Sequence, residues 1–128
     1  ALVLAVLARH AGVGLGAADV FVNVVGGVRV DEPGADLAVA LAVASASRGV
    51  ALRGAAERPL ACFGELGLTG ELRPVTHADR RLTEAARFGL SSTVHPDTHH
   101  NIRAALRSAL SGSSQGNRSA TVTQRNPG

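Results

Sequence analysis

Apolar positions fall into blocks along the chain, and their period changes from block to block. Residues 1–10, ALVLAVLARH, stay apolar up to Arg9-His10 and predict a helix ending there, with AGVGLG as its glycine-rich exit. In DVFVNVVGG, Val20, Val22 and Val24 share one face and Phe21, Asn23 and Val25 the other, which predicts a mostly buried strand closed by Gly26-Gly27. A turn, Asp31-Glu32-Pro33-Gly34-Ala35-Asp36, then opens an apolar helix over residues 34–47. Pro33 suits the entry turn, and the three acids complement the positive end of the helix dipole.

After an Arg/Gly-rich connection at 48–58, PLACFGELGLTGELRPV predicts a strand running into a hairpin that turns at Thr69-Gly70. ADRRLTEAARF predicts a second helix, with Asp79 near its start, Arg87 in its last turn and Gly89 as its stop. Leu82, Ala85, Ala86 and Phe88 make its apolar face. SSTVHP is a short strand and NIRAALRSAL an amphipathic helix; from Ser111 onward the chain turns polar, which predicts a disordered tail over 111–128. Strands and helices alternate, so the fold class is α/β or α+β in one domain, residues 1–110.

Composition narrows the chemistry. All 13 basic Lys/Arg positions are arginine, so no lysine is available for catalysis or phosphate binding. Two of them, Arg118 and Arg125, lie in the acid-free tail, leaving residues 1–110 close to charge balance despite a sequence pI near 10.9. Charge therefore argues only weakly for nucleic acid, and three Phe with no Trp or Tyr leave little for stacking on bases. One cysteine, Cys62, excludes an intramolecular disulfide and fits a reducing, cytoplasmic compartment. The run ALVLAVLA is too short to span a bilayer and reads as a core helix.

Each candidate site has a plain structural alternative. His95, His99 and His100 suggest a metal, but Pro96 and Asp97 interrupt them and an exposed polar loop is the simpler expectation. GVGLG at 12–16 follows a helix instead of a strand, which removes the context of a phosphate loop. Asp31, Glu32 and Asp36 could hold a cation or move protons, or serve only the helix dipole. Arg73, Arg80, Arg81 and Arg87 form the densest basic cluster, suited to phosphates, although Glu71, Asp79 and Glu84 could balance it as a solvated helix face.

Three stretches are distinctive together: DVFVNVVGGVRVDEPGADLAVALAVASA, FGELGLTGELRPV and RRLTEAARFGL. They closely resemble the C-terminal domain of the RadA (Sms) family of bacterial DNA-repair proteins, from residue 19 to about 95. That domain is similar to the proteolytic domain of Lon proteases, so the resemblance implies a Lon-like fold related to ribosomal protein S5 domain 2, here truncated at its N-terminus. Lon-type proteases carry a nucleophilic serine in the corresponding turn and an activating lysine later. The serine position falls on Gly34 and the lysine position is expected at Asp79, which implies a pseudo-protease without a catalytic dyad.

The resemblance further implies DNA repair by branch migration in homologous recombination. Single-stranded or branched DNA is the implied partner and a hexameric ring the implied assembly, with no membrane contact. It also implies a zinc finger and an ATPase using ATP and Mg outside these residues, and no cofactor or metal within them. The DNA-contact residues it favours are Arg73, Arg80, Arg81 and Arg87. The GEL…LRPV hairpin also resembles the Lon-like domain of the magnesium-chelatase-like ComM family, although VVGGVRVDEP fits RadA better. An active Lon-type serine peptidase is the enzyme alternative.

Overall fold

In a computed structural model, residues 2–13, 33–54 and 59–119 are described, with backbone alone from 111 onward. Among the described residues four helices dominate: α1 (Leu2–His10), α2 (Asp36–Arg48), α3 (Ala78–Arg87) and α4 (Ile102–Ser119). Among them lie four two-residue strands, β1 (Ala61–Cys62), β2 (Glu65–Leu66), β3 (Leu72–Arg73) and β4 (Thr93–Val94). β1 pairs with β4 in parallel, Ala61 opposite Thr93 and Cys62 opposite Val94, so the chain must cross over between them. The intervening hairpin and α3 make that crossover. The arrangement is mixed helix and small sheet, in keeping with the α/β class. The strand expected around residues 20–25 lies outside the described residues.

The core follows from helical periodicity. Leu37, Ala40, Leu41 and Ala44 of α2 are buried at the spacing of one helix face, and so are Ile102, Ala105, Leu106, Ala109 and Leu110 of α4. The alanines let the two helices approach closely, and Val6 and Leu7 of α1 complete the cluster with Leu66, Leu72 and Val94. Gly49, at φ 64°, closes α2 in the left-handed conformation; its N–H bonds Ala46 O, and Val50 N–H bonds Ser45 O.

α2 begins without a side-chain cap from Ala35. The segment 64–66 replaces it: Gly64 N–H donates to Gly34 O at 3.0 Å, and Leu37 N–H donates to Gly64 O at 3.1 Å. Leu66 N–H donates to the Asp36 carboxylate at 3.0 Å. Asp36 therefore ties α2 to the hairpin, which decides its reading for structure; Asp31 and Glu32 lie outside the described residues.

The hairpin pairs Glu65 with Arg73 and Leu66 with Leu72, and its turn runs through Gly70 as the sequence predicts. Gly70, at φ 87°, comes so close to His10 that an added Cβ would lie 3.1 Å from the His10 Cβ. Its carbonyl accepts from Ile102 N–H at 2.8 Å, and Asn101 Oδ1 caps α4 at Ala104 N–H. α4 then runs on to Ser119, past Ser111, where the polar composition predicts a tail. No proline lies between Pro96 and Pro127, and a helix already nucleated on a buried face propagates at low cost.

Candidate nucleic-acid interface

α3 carries most of the arginines singled out by the sequence, and it is built differently from the other helices. None of its residues is buried, and Phe88, just beyond it, is 73% exposed. Its N-cap residue, His77, adopts a left-handed conformation at φ 61°, uncommon for a residue with a side chain. Beneath the helix runs an open groove of about 500 Å³, lined by Cys62, Phe63, His77, Arg80, Leu82 and Phe88 among others. Burial pushes the Cys62 thiol up to about 11, so it stays protonated at neutral pH and is a poor nucleophile.

The four arginines do different things. Arg73 pairs with Glu71 at 3.1 Å, and Arg87 with Glu84 at 2.7 Å; both pairs are largely exposed. Exposed pairs of this kind contribute about 0–1 kcal/mol, so a phosphate can displace either carboxylate at little cost. Thr69 and Arg73 hydrogen bonds, with backbone help, hold the Glu71 carboxyl down at about 2. Arg80 is exposed at the rim of the groove. Arg81, which also lines the groove, turns inward: its Nε donates to Thr76 O at 3.0 Å, and its guanidinium lies 5.7 Å from the centre of the Phe63 ring, a cation–π distance.

Arg81 also occupies the space above Gly34. A Cβ built on Gly34 would sit 3.1 Å from Arg81 Nη1 and 3.2 Å from its Cζ. Asp79, the position that the resemblance matches to the lysine, does not lie over Gly34. Residues two apart on a helix point to nearly opposite sides, so with Arg81 turned inward Asp79 faces out. Asp79 is exposed, and its backbone carbonyl accepts a bond from Thr83 Oγ1. The side chain opposite the turn is thus Arg81, which charge density along the chain groups with the phosphate contacts. The signal against that grouping is its adjacency to Arg80: neighbouring helix positions lie about 100° apart, so the two side chains diverge.

The histidines also separate. His95 is buried, 6% exposed, and stacks on Phe63 with ring centres 5.1 Å apart; the expectation of an exposed loop is corrected there by aromatic packing. Its Nδ1 has no hydrogen-bond partner among the described residues. His99 Nδ1 lies 2.7 Å from Thr98 Oγ1, and burial first, with nearby Arg53 second, pushes its pKa down. Among the described residues no three His, Cys, Asp or Glu side chains gather to hold a metal, and no helix is long and apolar enough to cross a membrane.

An α/β chain with arginines displayed on one loosely packed helix, and with a guanidinium above Gly34, is the class these features define. The chain is homologous to the C-terminal part of the RadA family of DNA repair proteins. It is 49% identical over 96 residues to DNA repair protein RadA of Haemophilus influenzae and 48% identical over 96 residues to that of Escherichia coli. To the RadA protein of Aquifex aeolicus it is 47% identical over the same length. These matches take in 75% of the chain but only about a fifth of each relative. No protein-family model matches it.

Proposed function

We propose that the chain is a non-proteolytic scaffold domain of a RadA-type DNA repair protein, built on a Lon-like fold and contacting DNA through α3. The observation that carries the non-proteolytic reading is the Arg81 guanidinium over Gly34. A serine-type hydrolase needs a hydroxyl there and a neutral base beside it to take the proton. Residue 34 has no side chain, and a guanidinium stays protonated and has no acceptor site. DNA contact is supported by the kinship with DNA repair proteins and by Arg73, Arg80 and Arg87 at the surface of α3 and its approach. Arg81, engaged inward, is left out of that set.

Contacts of this kind neutralise phosphates without reading bases, which suits a partner defined by shape, such as a single-stranded or branched intermediate. In this reading ring assembly and branch migration are driven by ATPase segments outside these residues. The test pairs two assays on the chain. Labelled casein should remain uncut. Fluorescence anisotropy with single-stranded, duplex and branched oligonucleotides should show binding that weakens log-linearly with salt. Arg80→Ala with Arg87→Ala should lower that slope by about 0.9 for each phosphate no longer neutralised. Hydrolysis above background, or no binding near 50 mM salt, would contradict the proposal.

A further inference from the structure

A second arginine surface lies away from α3, assembled from residues far apart in sequence. Arg48 ends α2, while Arg103 and Arg107 stand one turn apart on α4 and so share a face. The three line one shallow groove of about 290 Å³, with Ala11 at its edge and Leu106 and Leu110 as its apolar floor. Among the described residues no acid lines it. α1 and α4 contain no Asp or Glu, and the one acid of α2, Asp36, sits at the opposite end of that helix, bonded to Leu66.

Part of this arrangement is structural. Arg48 Nη2 donates to Ala11 O at 3.1 Å and Arg103 Nε donates to His10 O at 3.2 Å, satisfying carbonyls at the C-terminal end of α1. Those bonds use one N–H from each guanidinium, which has five, and they fix both groups in place with donors to spare. They do not account for Arg107, which bonds nothing among the described residues, nor for three like charges gathered with no described carboxylate beside them. On α3, by contrast, Arg87 has Glu84 beside it. Gathered cations on a packed helix pair are complementary to a polyanion, and no neighbouring acid has to be displaced first.

We propose that the groove between the end of α2 and the first turns of α4 is a second phosphate-binding surface, which holds a nucleic-acid backbone through Arg48, Arg103 and Arg107. It rests on the DNA-binding reading above but uses a different face. The guanidiniums are held on the firmly packed part of the molecule, and among the described residues the groove offers no other polar side chain to read a base, so binding there is independent of sequence.

The test compares three forms of the chain by oligonucleotide anisotropy across a salt series: unsubstituted, Arg80→Ala/Arg87→Ala, and Arg48→Gln/Arg103→Gln/Arg107→Gln. Glutamine keeps an amide donor for the α1 carbonyls while removing the charge. The triple variant should keep its melting temperature within a few degrees and lose about 2 to 3 in the slope of log affinity against log salt. Its affinity near 0.1 M salt should fall at least about tenfold. A folded triple variant that binds like the unsubstituted chain, while the α3 variant weakens, overturns the groove and leaves the DNA reading standing. Absence of binding by the unsubstituted chain at low salt overturns both. Should the triple variant not fold, Arg107→Gln alone carries the test, because Arg107 supports no described contact: a slope lowered by about 0.9 supports the proposal and an unchanged slope overturns it. Displacement of DNA by polyglutamate at equal charge concentration would make the partner an acidic polypeptide and overturn the nucleic-acid assignment.

Discussion

The two arginine faces differ in how they are made. The α3 face is dense in sequence, with Arg73, Arg80 and Arg87 close along the chain, yet Glu71, Asp79 and Glu84 lie beside them and no residue of the helix is fully buried. The α2–α4 face is sparse in sequence, drawn from residues 48, 103 and 107, yet its groove has no acid among the described residues and its helices form the core. Linear density of charge is therefore a poor guide to surface potential. What matters is which acids the fold brings alongside, and how rigidly the cations are held.

Stability separates the faces most. Ile102 is 1% exposed at the start of α4, and Ile102→Ala should cost about 2–5 kcal/mol in chemical denaturation. Leu82→Ala on the half-buried side of α3 should cost under about 1 kcal/mol. Equal losses would show that α3 is packed as firmly as α4. A smaller, local effect belongs to the Arg81 anchor. Gly34→Val should push the guanidinium out of its notch and speed amide exchange across residues 78–87, with little change in α4. Gly34→Ala, whose Cβ needs a yield of a few tenths of an ångström, should do much less.

The same loosening has a chemical reporter. Cys62 lies in the groove under α3 with its thiol pushed up to about 11, so labelling by a disulfide reagent at pH 8 should be slow. Arg81→Ala should accelerate it several-fold if α3 lifts; an unchanged rate would mean that burial by β1 and β4 alone protects the thiol. The smallest effect concerns Glu71. Its folded pKa lies below the usual carboxylate value, so its contacts with Thr69 and Arg73 are fully present above about pH 4.5 and are lost as pH falls through about 2. An NMR titration of the Glu71 carboxyl should place its midpoint near 2, and a midpoint near 4.5 would show that the Thr69 hydrogen bond, with the smaller contribution of Arg73, is not made.

Much of this framework was legible along the chain. The spacing 102, 105, 106, 109 and 110 marks α4, the ELGLTGEL run marks the hairpin, and Asp79 to Gly89 bound α3 nearly as observed. What local pattern did not carry was orientation. Arg81 and Arg80 are equivalent as residue types, and only the position of Phe63 and Gly34 turns one inward. Likewise His95 is one of three histidines in a polar stretch, and it becomes a core residue only because the β1–β4 pairing sets Phe63 against it. Arg48 and Arg103 meet at the end of α1 across intervals of dozens of residues, a proximity that no period in the sequence encodes.

Hydrogen exchange on the chain with and without a bound oligonucleotide would locate the DNA without altering any arginine. Two arginine faces, one firm and one loose, should give slowed exchange at the end of α2 and over residues 102–110, with a second, weaker footprint on α3. Binding that leaves both regions unchanged, or that protects only residues beyond 110, would contradict them.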